Sequence, residues 1–225
     1  MKRAALIVAL LAALPFPARA EIREYDRVDF GTLHWLPTGE IVLGAGIARR
    51  GNRIVVDTGK LENYLSKESM VKSYKLIDKN SVLRVLVSER EPLCTVALKA
   101  KNRTVLCTVD RDGRVISAGR SYRIDAPLVA AYAGETKTLP APVQNLIAVF
   151  GELKKRPLWR ELGQVTLRQD GLCDVLLKGR PTVFTAGADF ASFVKIEALA
   201  GRFDSEGRYP RTVSIRDGFA VAGTD

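Results

Sequence analysis

The sequence predicts an α+β protein in two parts: a small module of one sheet with two helices on one face, then a β-rich domain with two helices. Short β runs alternate with helical apolar spacing as far as Pro92, and strand patterns dominate after it. One stretch of the second part, Val143, Leu146, Ile147, Phe150 and Leu153, has the period of an amphipathic helix. At 225 residues, 47% apolar and 27% charged, the chain can bury a core and is too apolar for wholesale disorder. It has no heptad, no Gly-X-Y period and no internal repeat.

Residues 1–20 read as an export device. Met1-Lys2-Arg3 is a basic start, Ala4 to Phe16 is uncharged and apolar, and Pro17-Ala18-Arg19-Ala20 offers small residues for cleavage. A thirteen-residue helix reaches only about 20 Å of the roughly 30 Å hydrocarbon layer. Two readings stand, a signal peptide cleaved at about Ala20 and a short anchor that recruits Pro17 to Ala20. Either places the remainder outside the cytoplasm.

The first module spans 25–92. Gly31 to Leu36 is expected to be extended. Thr38 is expected to cap a helix from Glu40 to about Ala48, weakened by Gly44 and Gly46. Gly51-Asn52 is a turn into the strand Ile54-Val55-Val56. Asp57 or Thr58 caps a second helix, with Leu61, Tyr64 and Leu65 on one face. Met70 to Lys75 and Val82 to Glu89 are strands around the turn Asp78 to Ser81, and Leu83, Val85 and Val87 share a face. Pro92 ends the module, since proline cannot donate within a ladder.

The second part spans 93–225. Leu93 to Lys99 and Thr104 to Asp110 flank a Lys101-Asn102 turn, and Asp112-Gly113 turns into Val115-Ile116. Thr136 to Pro142 breaks the sheet before the amphipathic helix. Strands resume at Gln164 to Arg168, Cys173 to Lys178 and Pro181 to Thr185. A helix from Phe190 to Leu199 leads to the last strands, Thr212 to Ile215 and Phe219 to Ala222. A terminal strand that finishes a sheet leaves an exposed edge.

The formal charge of +10 falls to +7 without Lys2, Arg3 and Arg19. For an exported chain this excess suits an acidic protein partner, anionic wall polymers or anionic lipid headgroups rather than nucleic acid. Seven basic residues lie between Lys99 and Arg123 against Asp110 and Asp112, a pattern that also suits solvated hairpin loops. With one histidine, His34, and three cysteines, most metal enzymes and triads lack their ligands and bases, and no cofactor or metal site is expected. No nucleophile signature surrounds Cys94, Cys107 or Cys173. Cys94 and Cys107 lie nearly symmetrically about the Lys101-Asn102 turn. They are read either as a cross-strand disulfide or as two buried free thiols. Glu89, Arg90 and Glu91 read as a solvated strand end. Trp159 follows the basic run Lys154-Lys155-Arg156. It reads as packed beneath a helix end or as a foot on a membrane interface.

The run Gly46-Ile47-Ala48-Arg49-Arg50-Gly51-Asn52-Arg53-Ile54-Val55-Val56-Asp57, with Leu61, Leu65 and Val71, resembles the POTRA domain of the FtsQ/DivIB family. So does the strand Leu83 to Val87, closing in Glu89-Arg90-Glu91-Pro92. The hairpin Val109-Asp110, Asp112-Gly113 and Val115 is similar to that family's next hairpin. Lys195-Ile196 with Leu199, and Val213-Ser214-Ile215-Arg216 with Ala220-Val221, resemble its last helix and strand. The likeness runs from about Val28 to Ala222. Ser214 stands where the family usually has Asp, and Asp217-Gly218 replace an aromatic that often follows the arginine.

The resemblance implies a non-enzymatic protein of the bacterial division machinery on the outer face of the inner membrane. It implies partners like FtsB and FtsL, which add a strand to the final edge. The implied partner-binding residues are Lys195, Arg216, Phe219, Ala220 and Val221. Strand chemistry agrees: an edge presents free N–H and C=O groups, Phe219 and Val221 alternate to one face, and Arg216 can meet a carboxylate. A POTRA-containing export or envelope-assembly adaptor and an exported hydrolase are the alternatives.

Overall fold

The computed structural model describes residues 21–100, 103–118, 125–132, 139–216 and 219–223. The N-terminal segment 1–20, the Lys101-Asn102 turn, Arg120 and Arg123 of the basic excess, residues 136–138 of the break at 136–142, and Asp217-Gly218 lie outside the described residues. The fold is α+β. The chain divides into two units between Glu89 and Arg90, three residues before the expected boundary.

The first unit holds two three-stranded sheets rather than the expected one. In the first, β1 (Ile22–Tyr25) and β3 (Ala48–Arg50) flank β4 (Arg53–Asp57), all antiparallel. In the second, β2 (Arg27–Asp29) runs parallel to β6 (Val82–Glu89), which pairs antiparallel with β5 (Val71–Lys79). The chain changes sheets at Asp26, whose N–H donates to the Ser81 carbonyl. The strands β1 and β2 are short and charged, with no alternation long enough to mark them in the sequence. Gly31 to Leu36 is not a strand. It is a loop whose N–H groups at His34, Trp35 and Leu36 donate to the Glu89 carboxylate at 2.6, 2.9 and 2.6 Å.

Helix α1 (Thr38–Gly44) takes Pro37 as its N-cap, so Thr38 is the first helical residue rather than the cap. It stops short of Ala48 because α2 (Thr58–Lys67) crowds it. A Cβ on Gly44 would lie 2.1 Å from the Tyr64 ring, and Gly46 then takes φ +65°. Asp57 caps α2 by accepting from the Lys60 N–H at 3.0 Å, and Leu61 and Leu65 are buried. Asn80 and Ser81, at φ 53° and 58°, form the two-residue turn between β5 and β6, which matches the right-handed strand twist. On β6, Leu83 and Val85 are buried and Val87 is half-buried, on one face as expected.

The second unit is built on one nine-stranded mixed sheet. Its strands are β7 (Pro92–Ala100), β8 (Arg103–Asp110), β9 (Val115–Ala118), β10 (Leu128–Tyr132), β11 (Leu162–Leu167), β12 (Leu172–Leu177), β13 (Val183–Gly187), β14 (Thr212–Arg216) and β15 (Phe219–Gly223). Their spatial order is β15-β14-β13-β12-β11-β10-β7-β8-β9. Strand β10, unforeseen in the sequence, joins the two halves by pairing parallel to both β7 and β11.

Three helices serve this unit, one more than expected. In α3 (Ala141–Leu153) all five periodic residues are buried. The short α4 (Leu158–Glu161) follows it. Helix α5 (Phe190–Glu206) is capped by the Asp189 carboxylate at its start and by Gly207 at φ 62° at its end, two turns beyond the expected Leu199. Phe150 meets Trp159 and Phe193 edge-on at 5.5 and 6.1 Å, so the half-buried Trp159 packs against the core. The buried positions of the strands, among them Val96, Val129, Val165, Val175, Phe184 and Val213, join these helices in one cluster. Between those positions Thr95, Ala130, Thr166, Thr185 and Ser214 face the other side and are half-buried.

Candidate partner-binding edge

The candidate site grows from the β14–β15 hairpin. Val213 and Ile215 are buried, which fixes the faces of β14. Across the antiparallel ladder Ala222 stands opposite Val213 and Ala220 opposite Ile215, so these alanines share the helix-side face. Phe219 stands opposite Arg216 and Val221 opposite Ser214, on the open face. Phe219 is 76% exposed and Val221 67%. Strand β15 is outermost in the sheet, so every second N–H and C=O of it points away from β14 with no strand beyond among the described residues.

Strands β13 and β14 run parallel and are joined by α5, so the helix returns antiparallel to them. Its first turns therefore lie toward the end of the sheet where β14 finishes. Lys195 is exposed on that part of α5, and Arg216 is exposed at the end of β14. Neither has an ion pair among the described residues. The hairpin thus brings Arg216, Phe219, Ala220 and Val221 together, with Lys195 on the neighbouring helix toward the same end. Two apolar side chains, two cations and an open ladder can hold an extended, acidic peptide.

The cysteines require a correction. Cys94, Cys107 and Cys173 are all free and buried. A register shift between Pro92 and Cys94 puts Cys94 opposite Val109, while Cys107 faces Val96. The two thiols are therefore diagonal neighbours, not a directly opposed pair that a disulfide would join. Burial pushes the Cys94 and Cys173 thiols up to about 12, the latter with help from Asp174 and Asp189, and raises Cys107 as well.

In the charge run Glu89-Arg90-Glu91 the first two residues differ from a solvated strand end, while the Glu91 side chain is 71% exposed. Glu89 holds the 34–36 loop, Arg90 pairs with Asp110 at 3.1 Å, and Glu91 pairs with Lys154. These partners are 20 to 63 residues away in sequence, beyond the reach of local pattern. Among the described residues no group of three or more His, Cys, Asp or Glu is placed to hold a metal ion. A shallow concavity of about 290 Å³ on the open sheet face lies among Ala97, Lys99, Thr104, Ala130, Tyr132 and Gln164, with the Lys99 ammonium 5.7 Å from the Tyr132 ring centre. No helix of the described residues is long and apolar enough to cross a membrane.

No family model matches the chain, and no curated protein matches it. Among solved structures it is similar to the major extracytoplasmic domain of the trans isomer of the bacterial cell division protein DivIB from Geobacillus stearothermophilus. The two are 12% identical over 52% of this chain and 97% of that one, with a TM-score of 0.36.

Proposed function

We propose that this chain is an extracytoplasmic, non-enzymatic scaffold of the FtsQ/DivIB type, whose first unit is a POTRA module. It recruits FtsB- or FtsL-like division proteins by strand addition to β15. The observation that carries this is the terminal edge itself, with Phe219 and Val221 exposed beside an open ladder. The first unit adds support. Its strand β2, helices α1 and α2, and hairpin β5–β6 occur in that chain order, with β6 central and parallel to β2. The motif resemblance from Val28 to Ala222 is the reason for naming division partners rather than others.

The test is a pull-down of the full chain, in detergent, against the extracytoplasmic segments of FtsB- and FtsL-like proteins. The Phe219→Lys variant runs alongside. The expected result is capture by the wild type and loss of capture by a variant that keeps its thermal transition. No capture by folded wild-type protein would overturn the division reading.

A further inference from the structure

The β2-β6-β5 sheet of the first unit has a second face that partner recruitment at β15 does not use. Leu83 and Val85 turn one face inward. On the other face, the cross-strand rows are Arg27, Val82 and Lys79, then Asp29, Arg84 and Ile77, then Leu86 and Lys75. Arg27, Lys75, Lys79 and Arg84 are exposed, and Leu86 is 48% exposed in their midst. Asp29 is the sole carboxylate in these rows and lies 3.7 Å from Arg27. Lys75, Lys79 and Arg84 have no ion pair among the described residues. At the hairpin end a concavity of about 300 Å³ is lined by Ile77, Lys79, Asn80, Val82 and Arg84, so apolar and cationic side chains share its wall.

We propose that this face docks on an anionic phospholipid bilayer. The guanidinium and ammonium groups meet headgroup phosphates, while Leu86, Ile77 and Val82 meet the upper acyl region. Charge complementarity is the first argument, with Lys75, Lys79 and Arg84 left over once Arg27 is set against the one carboxylate, Asp29. Geometry is the second. The cations spread over three strands of one sheet face rather than line a groove one peptide wide. A peptide that adds as a strand would take an edge, β2 or β5, and not lie across this face. Chain position is the third. Where the apolar run Ala4 to Phe16 is retained as an anchor, Arg27 follows it by eleven residues, at most about 40 Å of chain. The proposal rests on neither the division reading nor the β15 edge.

The test is co-sedimentation of the full chain with vesicles of phosphatidylcholine alone and of phosphatidylcholine mixed with phosphatidylglycerol. The readout is the ratio of the two affinities, which removes any charge-independent contribution of the apolar run. The wild type is expected to prefer the anionic vesicles, and added salt to erase the preference. Lys75→Glu with Arg84→Glu is expected to lower the ratio by about 25-fold or more, from the usual contribution of each basic residue at an anionic surface. Lys75→Gln with Arg84→Gln should lower it less, and both variants should keep the wild-type thermal transition. Arg103→Glu with Arg114→Glu, on the second unit, should leave the ratio unchanged. A wild type without preference, a Lys75/Arg84 variant that keeps it, or an equal loss in the control overturns the proposal. Capture of a polyglutamate peptide by a wild type with no vesicle preference would reassign the face to an acidic protein segment.

Discussion

Arg90 and Asp110 form an ion pair at 3.1 Å with side chains only 12% and 4% exposed. The same carboxylate accepts the N–H groups of Asp112 and Arg114 at 3.0 and 2.8 Å, so one buried charge holds both a partner strand's start and the turn leading to β9. Removing the guanidinium leaves that charge without its counter-ion. Arg90→Ala is expected to destabilise the protein by about 3 kcal/mol. Urea unfolding followed by circular dichroism checks it. An unchanged midpoint would mean the pair is solvated.

Glu89 acts at the edge of the first unit as an acceptor for three successive backbone N–H groups. Glu89→Ala leaves those donors to find water or go without, at a cost of about 2 kcal/mol. Glu89→Gln keeps one acceptor oxygen and should cost less. Hydrogen exchange at His34, Trp35 and Leu36 is expected to accelerate in both variants, while β5 and β6 exchange as before. Equal protection in wild type and Glu89→Ala would remove the assigned role.

These two contacts show where sequence reading reaches its limit. The five buried residues of α3 recur every three or four positions, so local spacing revealed them. The signals for the turn, expected over Asp78 to Ser81 and found at Asn80-Ser81, and for the α2 cap, expected at Asp57 or Thr58 and found at Asp57, are equally local. Glu89 and Arg90 sit in a charge run that reads as solvent-facing, and only pairing across 20 or more residues gives them partners. Strand β10 is harder still. Leu128–Tyr132 is short, two of its five residues are alanine, and its place follows from parallel pairing on both sides. The edge at β15 was legible because the last strand of a chain commonly ends a sheet. The cationic face around Arg84 was not, since its members come from three strands.

The buried thiols predict an alkaline limit on stability. An unfolded thiol titrates near 9, whereas Cys94 and Cys173 titrate near 12 in the folded chain. Between those values the folded state keeps protons that the unfolded state has released. Stability is therefore unaffected below 9 and falls as pH rises from 9 toward 12, by about 1.4 kcal/mol per pH unit for each thiol. Cys94→Ala and Cys173→Ala should each start less stable at neutral pH because of the cavity, yet lose stability less steeply above pH 9. Parallel slopes in wild type and variants would show that burial does not hold these protons. A disulfide-exchange reagent at pH 8 should label all three cysteines only after denaturation.

Phe150 is the hub of the helix-side core in the second unit, touching Trp159 and Phe193 edge-on while itself fully buried. Phe150→Ala removes a ring from a cluster that cannot fully collapse, at an expected cost of about 4 kcal/mol. Trp159 fluorescence should shift to the red as water enters beside it. A cost below about 1 kcal/mol would mean that α3 and α5 repack freely.

Strand addition at β15 makes a prediction that a side-chain contact surface does not. Along an antiparallel edge, alternate residues direct their N–H groups to β14 and to the free side. Proline removes a donor without adding charge. A proline scan over Phe219, Ala220, Val221 and Ala222 should therefore separate into two alternating classes. In one class the lost N–H belongs to the β14 ladder, so the hairpin loosens and the thermal transition falls. In the other the lost N–H faces outward, so the transition holds and partner capture is lost. The same alternation separates Phe219 and Val221 from Ala220 and Ala222, so Phe219→Ala and Val221→Ala, which keep the N–H, are measured beside the scan. Capture abolished by these two alanine variants, and reduced no further by proline at any position that holds its transition, would show docking onto the open face and not onto the edge.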